Sequence, residues 1–172
     1  MSKAAVLCNG PSRVAYTIST EYDYIIGCNV PWTECDSTVV VDDAIIKLWN
    51  EDRDLIKCKV HYSERAWEAA EAFNNPLFKE RKVSVRRVKD KQSHSSGHVA
   101  VEILIEQGYT EIDIFGCDAW FNIRSGDSFT RQFVPIQSPN QELRMATRMQ
   151  GWKIRWQNIM QSNPNVKINF IK

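Results

Sequence analysis

Hydrophobic residues in this chain fall in short continuous runs, each closed by polar or turn-forming residues, with little of the strict alternation of a one-sided sheet. Residues 4–8 form one such run and stop at Asn9-Gly10-Pro11. Residues 24–28 stop at Asn29, and the three valines at 39–41 stop at Asp42-Asp43. Runs of this length bounded by turn signals predict interior parallel strands covered on both faces. Residues 57–62 and 83–88 are weaker and partly alternating, which predicts strands toward a sheet edge, where one face can carry charge. Residues 112–115 and 166–171 complete the strand series.

Helical patterns lie between these runs. Residues 63–73 are rich in helix formers, with Ser63 placed to cap the start and Asn74-Asn75-Pro76 to stop it. Residues 97–107 predict an almost wholly apolar helix burying Val99, Val101, Ile103, Leu104 and Ile105, with Gly108 in the left-handed position that ends it. Residues 141–161 predict a long helix whose Leu143, Met145, Met149, Trp152, Trp156, Ile159 and Met160 read as core packing, with a base-stacking platform as the alternative. Residues 122–140 mix Arg, Gly, Asp, Ser, Thr and Pro without a period, as a loop or lid at the mouth of a site would. Strands and helices in this order predict an α/β fold, Rossmann-like and doubly wound, with a mostly parallel sheet and helices on both faces. No repeat or linker interrupts residues 1–172, so one domain is expected.

Composition changes this picture little. Hydrophobic residues make up 43% and charged residues 25%, the ordinary globular range. With 22 basic and 21 acidic residues the formal charge is +1, so no global field draws the protein to nucleic acid or an anionic membrane, and any anion site is local. The basic stretch 79–91, with Lys82, Arg86, Arg87, Lys89 and Lys91, reads as a solvated edge strand rather than a phosphate-binding patch. Five cysteines without a Cys-x-x-Cys pair argue against a disulfide framework or a zinc cage and point to a reducing, cytoplasmic setting. Cys8, Cys28, Cys58 and Cys117 fall in apolar runs and read as small buried hydrophobes. No apolar stretch has the length of a membrane span.

In an open parallel sheet, ligands bind beyond the carboxyl ends of the strands. The polar residues there are Asn9, Gly10 and Ser12, then Asn29, Asp42-Asp43 and Asp118, with Ser95-Ser96-Gly97 opening the apolar helix on the same rim. Gly10 permits close backbone approach and Asn9 offers donors and an acceptor, so phosphate or ribose is a candidate there, beside a plain turn capped by Ser12. The motif is neither G-x-G-x-x-G nor a P-loop. Free N–H groups at the Ser95-Ser96-Gly97 helix start favour an anion, with simple capping as the alternative. His94 and His98 flank it, as proton carriers, phosphate partners or surface groups. Asp42, Asp43 and Asp118 raise a metal reading, but adjacent carboxylates in extended backbone point to opposite faces, and no metal is assigned.

Three stretches together resemble the bacterial sialyltransferases that use CMP-sialic acid to decorate lipooligosaccharide. They are the strand running into Asn9-Gly10-Pro11-Ser12, the pair Cys28-Asn29, and the block from Ser95-Ser96-Gly97 through Gly108-Tyr109 and Glu111-Ile112-Asp113-Ile114-Phe115-Gly116-Cys117-Asp118. The resemblance covers roughly two-thirds of the chain. It implies a glycosyltransferase-like domain holding a CMP-type nucleotide or nucleotide sugar through Asn9, Gly10, Asn29, Ser95, Ser96 and Gly97, without a metal or further cofactor, and with Asp42 near a nucleotide-contacting position. The departures concern catalysis. The family's histidine base follows the Gly-x-Asp strand, whereas the last histidine here is His98. Its phosphate-binding tyrosines are matched by Trp120 and, nearby, Phe129. Arg124 or Arg131 is the candidate to neutralise a leaving phosphate, and Asp127 the candidate base. Two readings follow: a small enzyme using a nucleotide-activated sugar, or a nucleotide-binding or sequestering protein that has lost the base. A nucleic-acid or protein-interaction module is the third, and a homo-oligomer stays open.

Overall fold

The computed structural model describes residues 3–18, 21–88, 94–123, 128–134 and 139–172. Seven strands form one sheet: β1 (Lys3–Leu7), β2 (Tyr24–Cys28), β3 (Ser37–Val40), β4 (Lys59–Ser63), β5 (Lys82–Arg86), β6 (Glu111–Phe115) and β7 (Lys167–Ile171). Their order is β5-β4-β3-β2-β1-β6-β7, and every neighbouring pair is parallel. The chain starts in the middle, winds outward through β5, then returns across the sheet to lay β6 on the other side of β1. Five helices connect or flank these strands: α1 (Asp43–Glu51), α2 (Glu64–Phe73), α3 (Pro76–Arg81), α4 (Ser96–Glu106) and α5 (Pro139–Ser162). The fold is Rossmann-like and doubly wound.

The alternation of side chains along each strand divides the core between the two faces. Ala4, Val6, Ile26, Cys28 and Val39 pack with α4 and with Trp156 and Ile159 of α5. On the opposite face Val40, Val60 and Tyr62 pack with Trp49 of α1, Ala66 and Ala70 of α2, and Phe78 of α3. Leu7 and Phe115, on β1 and β6, are covered by the aromatic rings of Tyr16, Tyr22 and Trp32. A helix this apolar must be largely buried, and α4 is: Val99, Ala100, Val101, Ile103 and Leu104 are each at most 4% exposed, with Ile105 partly covered and Glu106 exposed near its end. Each such Ile or Leu contributes about 2 kcal/mol by leaving water. Gly108 has φ +92°, and the Gly108 and Tyr109 N–H groups donate to the Ile105 and Leu104 carbonyls, the paired bonds of a Schellman ending.

Two expectations need correction and one is extended. The strand expected near 57–62 is interior, paired with β3 and β5, because its alternate residues Val60 and Tyr62 enter the α1–α3 core; only β5 of the two weak strands lies at an edge. Asn74-Asn75-Pro76 is both a stop and a start. Asn74 ends α2 at φ +52°, and the Asn75 side chain then accepts from Leu77 N–H to begin α3, with Pro76 in its first turn. On α5, Trp156 and Ile159 are core residues but Leu143 is 68% exposed, and the Met145 side chain lies outside the described residues. The expected Ser63 cap is present, its hydroxyl accepting from Ala66 N–H at 3.0 Å. In the basic stretch, Arg86 pairs with Glu106 and Lys82 lies 4.5 Å over the Trp67 ring, on the edge strand; Lys89 and Lys91 lie outside the described residues. No described helix is long and apolar enough to cross a membrane.

Candidate functional site

The order of strands reverses between β1 and β6, and at such a switch point the loops leaving adjacent strands part to leave a crevice. Leu7 stands level with Gly27 and Phe115, so residues 8–10, 28–29 and 116–118 leave the sheet together. A cavity of about 220 Å³ opens there. It is lined by Asn9, Gly10, Asn29, Asp42, Ser95, Ser96, Gly97 and Asp118 among others. This is below the roughly 300–1,000 Å³ of pockets that engulf a drug-sized ligand, so its volume suits part of such a ligand rather than the whole.

The turn after β1 is stitched to β6. Gly10 N–H donates to the Gly116 carbonyl at 2.8 Å. The Ser12 N–H, at the start of the turn Pro11–Ala15, donates to the Asp118 carboxylate at 3.1 Å. A Cβ on Gly10 would lie 1.7 Å from Asp118 Oδ2 and 2.5 Å from the Gly116 oxygen, so glycine here answers a close approach; its φ is an ordinary −68°. Gly116 is glycine for both reasons, with φ +74° and the Cys8 carbonyl 2.3 Å from a Cβ position. Asp118 is 3% exposed and committed to closing this turn, and the Ser12 side chain does not line the cavity. Asn9 does, donating through Nδ2 to the Cys28 carbonyl at 2.7 Å while its buried Oδ1 has no partner.

Asn29 adopts φ +59°, a left-handed conformation that asparagine tolerates, and accepts from the Ser96 hydroxyl at 3.5 Å. This ties the end of β2 to the first turn of α4. Asp42 precedes α1 at its capping position but makes no capping bond, leaving an exposed carboxylate on the rim, whereas Asp43 pairs with Arg65.

At the α4 start, His98 reaches back to its own cap. Its Nδ1 accepts from Ser95 N–H at 2.9 Å, which puts the proton on Nε2, and Nε2 donates to the Trp152 carbonyl at 2.8 Å. Burial, with further lowering from His94 and Arg155, drops its pKa to about 3 despite the bond to Trp152. His98 is a neutral bolt between α4 and α5, which overturns its reading as a proton carrier. His94 is also buried, its Nε2 2.8 Å from Glu102 Oε1 and its Nδ1 without a partner at the cavity. Gly97 brings this turn against Cys8 and Trp156, with 3.1 Å and 3.4 Å left for a Cβ. With Ser95 N–H bonded to His98, the Ser96 and Gly97 N–H groups are the open donors of the turn.

The thiols of Cys8, Cys28 and Cys117 gather at the strand ends under the cavity. Hydrogen bonding to Cys8, followed by burial, pushes the Cys117 thiol well above its ordinary range. Cys8 and Cys117 reach the cavity wall, so they are not wholly buried, as a core reading expected. Among the described residues no three His, Cys, Asp or Glu side chains form a group able to hold a metal ion.

Comparison with known proteins finds no matching family model, no matching curated protein and no matching solved structure.

The remaining candidates divide. Arg131 lines the cavity from the short turn Phe129–Gln132, which Phe129 N–H anchors to the Asn9 carbonyl at 2.8 Å. Trp120 turns away and stacks on Phe170 with ring centres 4.3 Å apart. Arg124 and Asp127 lie outside the described residues. Trp152 of α5, expected as core packing, and Arg148, which the sequence did not single out, also line the cavity. Their spacing with Trp156, four residues per step, was the signal for one helix face turned toward α4.

Proposed function

We propose that this protein binds a CMP-type nucleotide or nucleotide sugar at the carboxyl rim of its sheet, as a glycosyltransferase-like protein similar to the sialyltransferases. The observation that carries the reading is the convergence of three elements at one switch-point cavity: the unpartnered Asn9 Oδ1, the Asn29–Ser96 link and the open first turn of α4. Asn9 and Asn29 offer the polar edges a base or ribose needs, the α4 N–H groups suit a phosphate, and Arg131 neutralises charge developing on it. Asp42 supplies an acceptor for a sugar hydroxyl. Arg124 and Asp127 remain the proposed further cation and base.

A second reading, a nucleotide-binding or sequestering protein without turnover, is favoured by the bolted His98 and by Trp120 standing where the resemblance calls for a tyrosine. Isothermal titration with CMP and a panel of other nucleotides tests both. Wild type binds, and Ser96→Ala and Asn9→Ala weaken binding; a chain that binds no nucleotide overturns both readings. Product analysis with several activated sugars separates them, since turnover excludes the second.

A further inference from the structure

Arg148 has no role in the readings above, yet its placement is specific. It stands four residues before Trp152 and eight before Trp156, and all three line the cavity from α5. That face is fixed to α4: the Trp152 carbonyl is held by His98, and the His98 and Trp156 ring centres are 4.2 Å apart. One helical turn rises about 5.4 Å, so Arg148 stands one turn before the docked Trp152, on the lining of the same cavity. Its Nε is buried without a partner, and so is Trp152 Nε1. Arg131 lines the same cavity from the turn Phe129–Gln132. Among the described lining residues the carboxylates are Asp118, bonded to Ser12, and Asp42, which shares the lining with two guanidinium groups and a helix N-terminus. Two lining residues that are more than nine-tenths buried, Asn9 at 8% and His94 at 4% exposure, keep an unpartnered polar atom each, which marks the cavity as built for a ligand.

We infer that Arg148 is the second cation of a phosphoryl clamp, set with Arg131 across the cavity from the first turn of α4, and that this clamp makes the site selective for phosphorylated ligands over their uncharged nucleosides. The inference rests on the nucleotide reading for the base-binding half of the site only. Guanidinium forks and backbone N–H groups are both geometrically matched to phosphate oxygens. Two like charges facing one cavity also fit an anion between them: Arg131 has its pKa lowered by burial, with Asp42 opposing the fall and Arg148 adding to it.

The test is titration calorimetry of wild type, Arg148→Ala and Arg148→Lys with CMP, cytidine and inorganic pyrophosphate, with a thermal melt of each variant. Wild type is expected to favour CMP over cytidine. In Arg148→Ala the CMP affinity falls roughly 10- to 100-fold while cytidine is unchanged, so the gap narrows. Arg148→Lys falls between, because it keeps the charge and loses the fork, and it serves if the alanine variant fails to fold. CMP binding equal in wild type and in a folded Arg148→Ala overturns the clamp and leaves the nucleotide reading standing. Pyrophosphate binding that depends on Arg148, without binding of any nucleotide, keeps the clamp and overturns the nucleotide reading. Binding of none of these probes overturns both.

Discussion

The rim of the sheet carries two turns that look alike in sequence, Asn9-Gly10-Pro11-Ser12 after β1 and Ser95-Ser96-Gly97 at the start of α4. Each places small residues and backbone N–H groups at the start of a helical segment. Their fates differ. The first is closed from within by Asp118, whose carboxylate occupies the position an anion would take at Ser12. The second is closed at its cap, where Ser95 and His98 bond each other, and its first-turn residues Ser96 and Gly97, whose N–H groups have no intrahelical acceptor, line the cavity. A helix start is therefore an anion site only when no side chain of its own chain reaches it first, and a carboxylate distant in sequence decides this.

The largest effect that would break the comparison is expected from Gly10→Ala. Its Cβ meets a buried carboxylate and a backbone oxygen at distances no side chain tolerates, so the β1–β6 stitch must part. A loss of about 3 kcal/mol or more is expected in urea unfolding; a wild-type midpoint would contradict the packing. Acid comes next. His98 and His61 have folded pKa values of about 3 and about 4, both lowered chiefly by burial. The unfolded chain takes up these protons near pH 6.5 while the folded chain resists, so stability is full above pH 6.5 and falls below it through pH 4. Each histidine contributes a slope of up to about 1.4 kcal/mol per pH unit in that window. Urea midpoints measured from pH 7.5 to 4 check this, and His98→Gln should flatten the acid limb while lowering stability at pH 7.5; parallel limbs would refute the bolt.

Asp118→Asn keeps an acceptor for Ser12 N–H but removes its charge, costing about 1–2 kcal/mol. If the first turn is only structural, CMP affinity per folded molecule stays the same; a marked loss would give Asp118 a direct ligand role. Gly97→Ala is the mildest, at about 1 kcal/mol or less, since Cys8 Sγ need give way by only a few tenths of an ångström and the Trp156 ring edge is at ordinary contact distance. Its interest lies in binding, where a methyl beside the open N–H groups should weaken CMP more than it weakens the fold, a difference that calorimetry and melting curves measure on one sample.

Much of the architecture was legible because interior parallel strands announce themselves as apolar runs with polar ends, as residues 4–8 and 24–28 do. The interior position of β4 was hidden by Lys57, Lys59 and His61. The histidine is buried against Ser84 at 2.7 Å, and such a bond to a neighbouring strand leaves no trace in periodicity. The rim residues were legible for the same reason the strands were: Asn9, Asn29, Asp42 and Asp118 end apolar runs, and a parallel sheet brings such ends together. What they do there was less so. Asp118 and Ser12 are 106 positions apart, and only the fold reveals that one closes the other. Arg148 sits among polar residues of α5, and its place is read from its register with Trp152 and Trp156, once α5 is known to dock on α4.

That separation of 106 positions also sets a clock. During synthesis β1 emerges before β6, and its β6 edge and closing carboxylate arrive only after residues 111–118 have left the ribosome. A nascent chain halted before β6 displays an apolar strand edge to chaperones and has no cavity to fill. If the cavity binds the proposed nucleotide, binding in refolding should be recovered only once β6 has docked on β1.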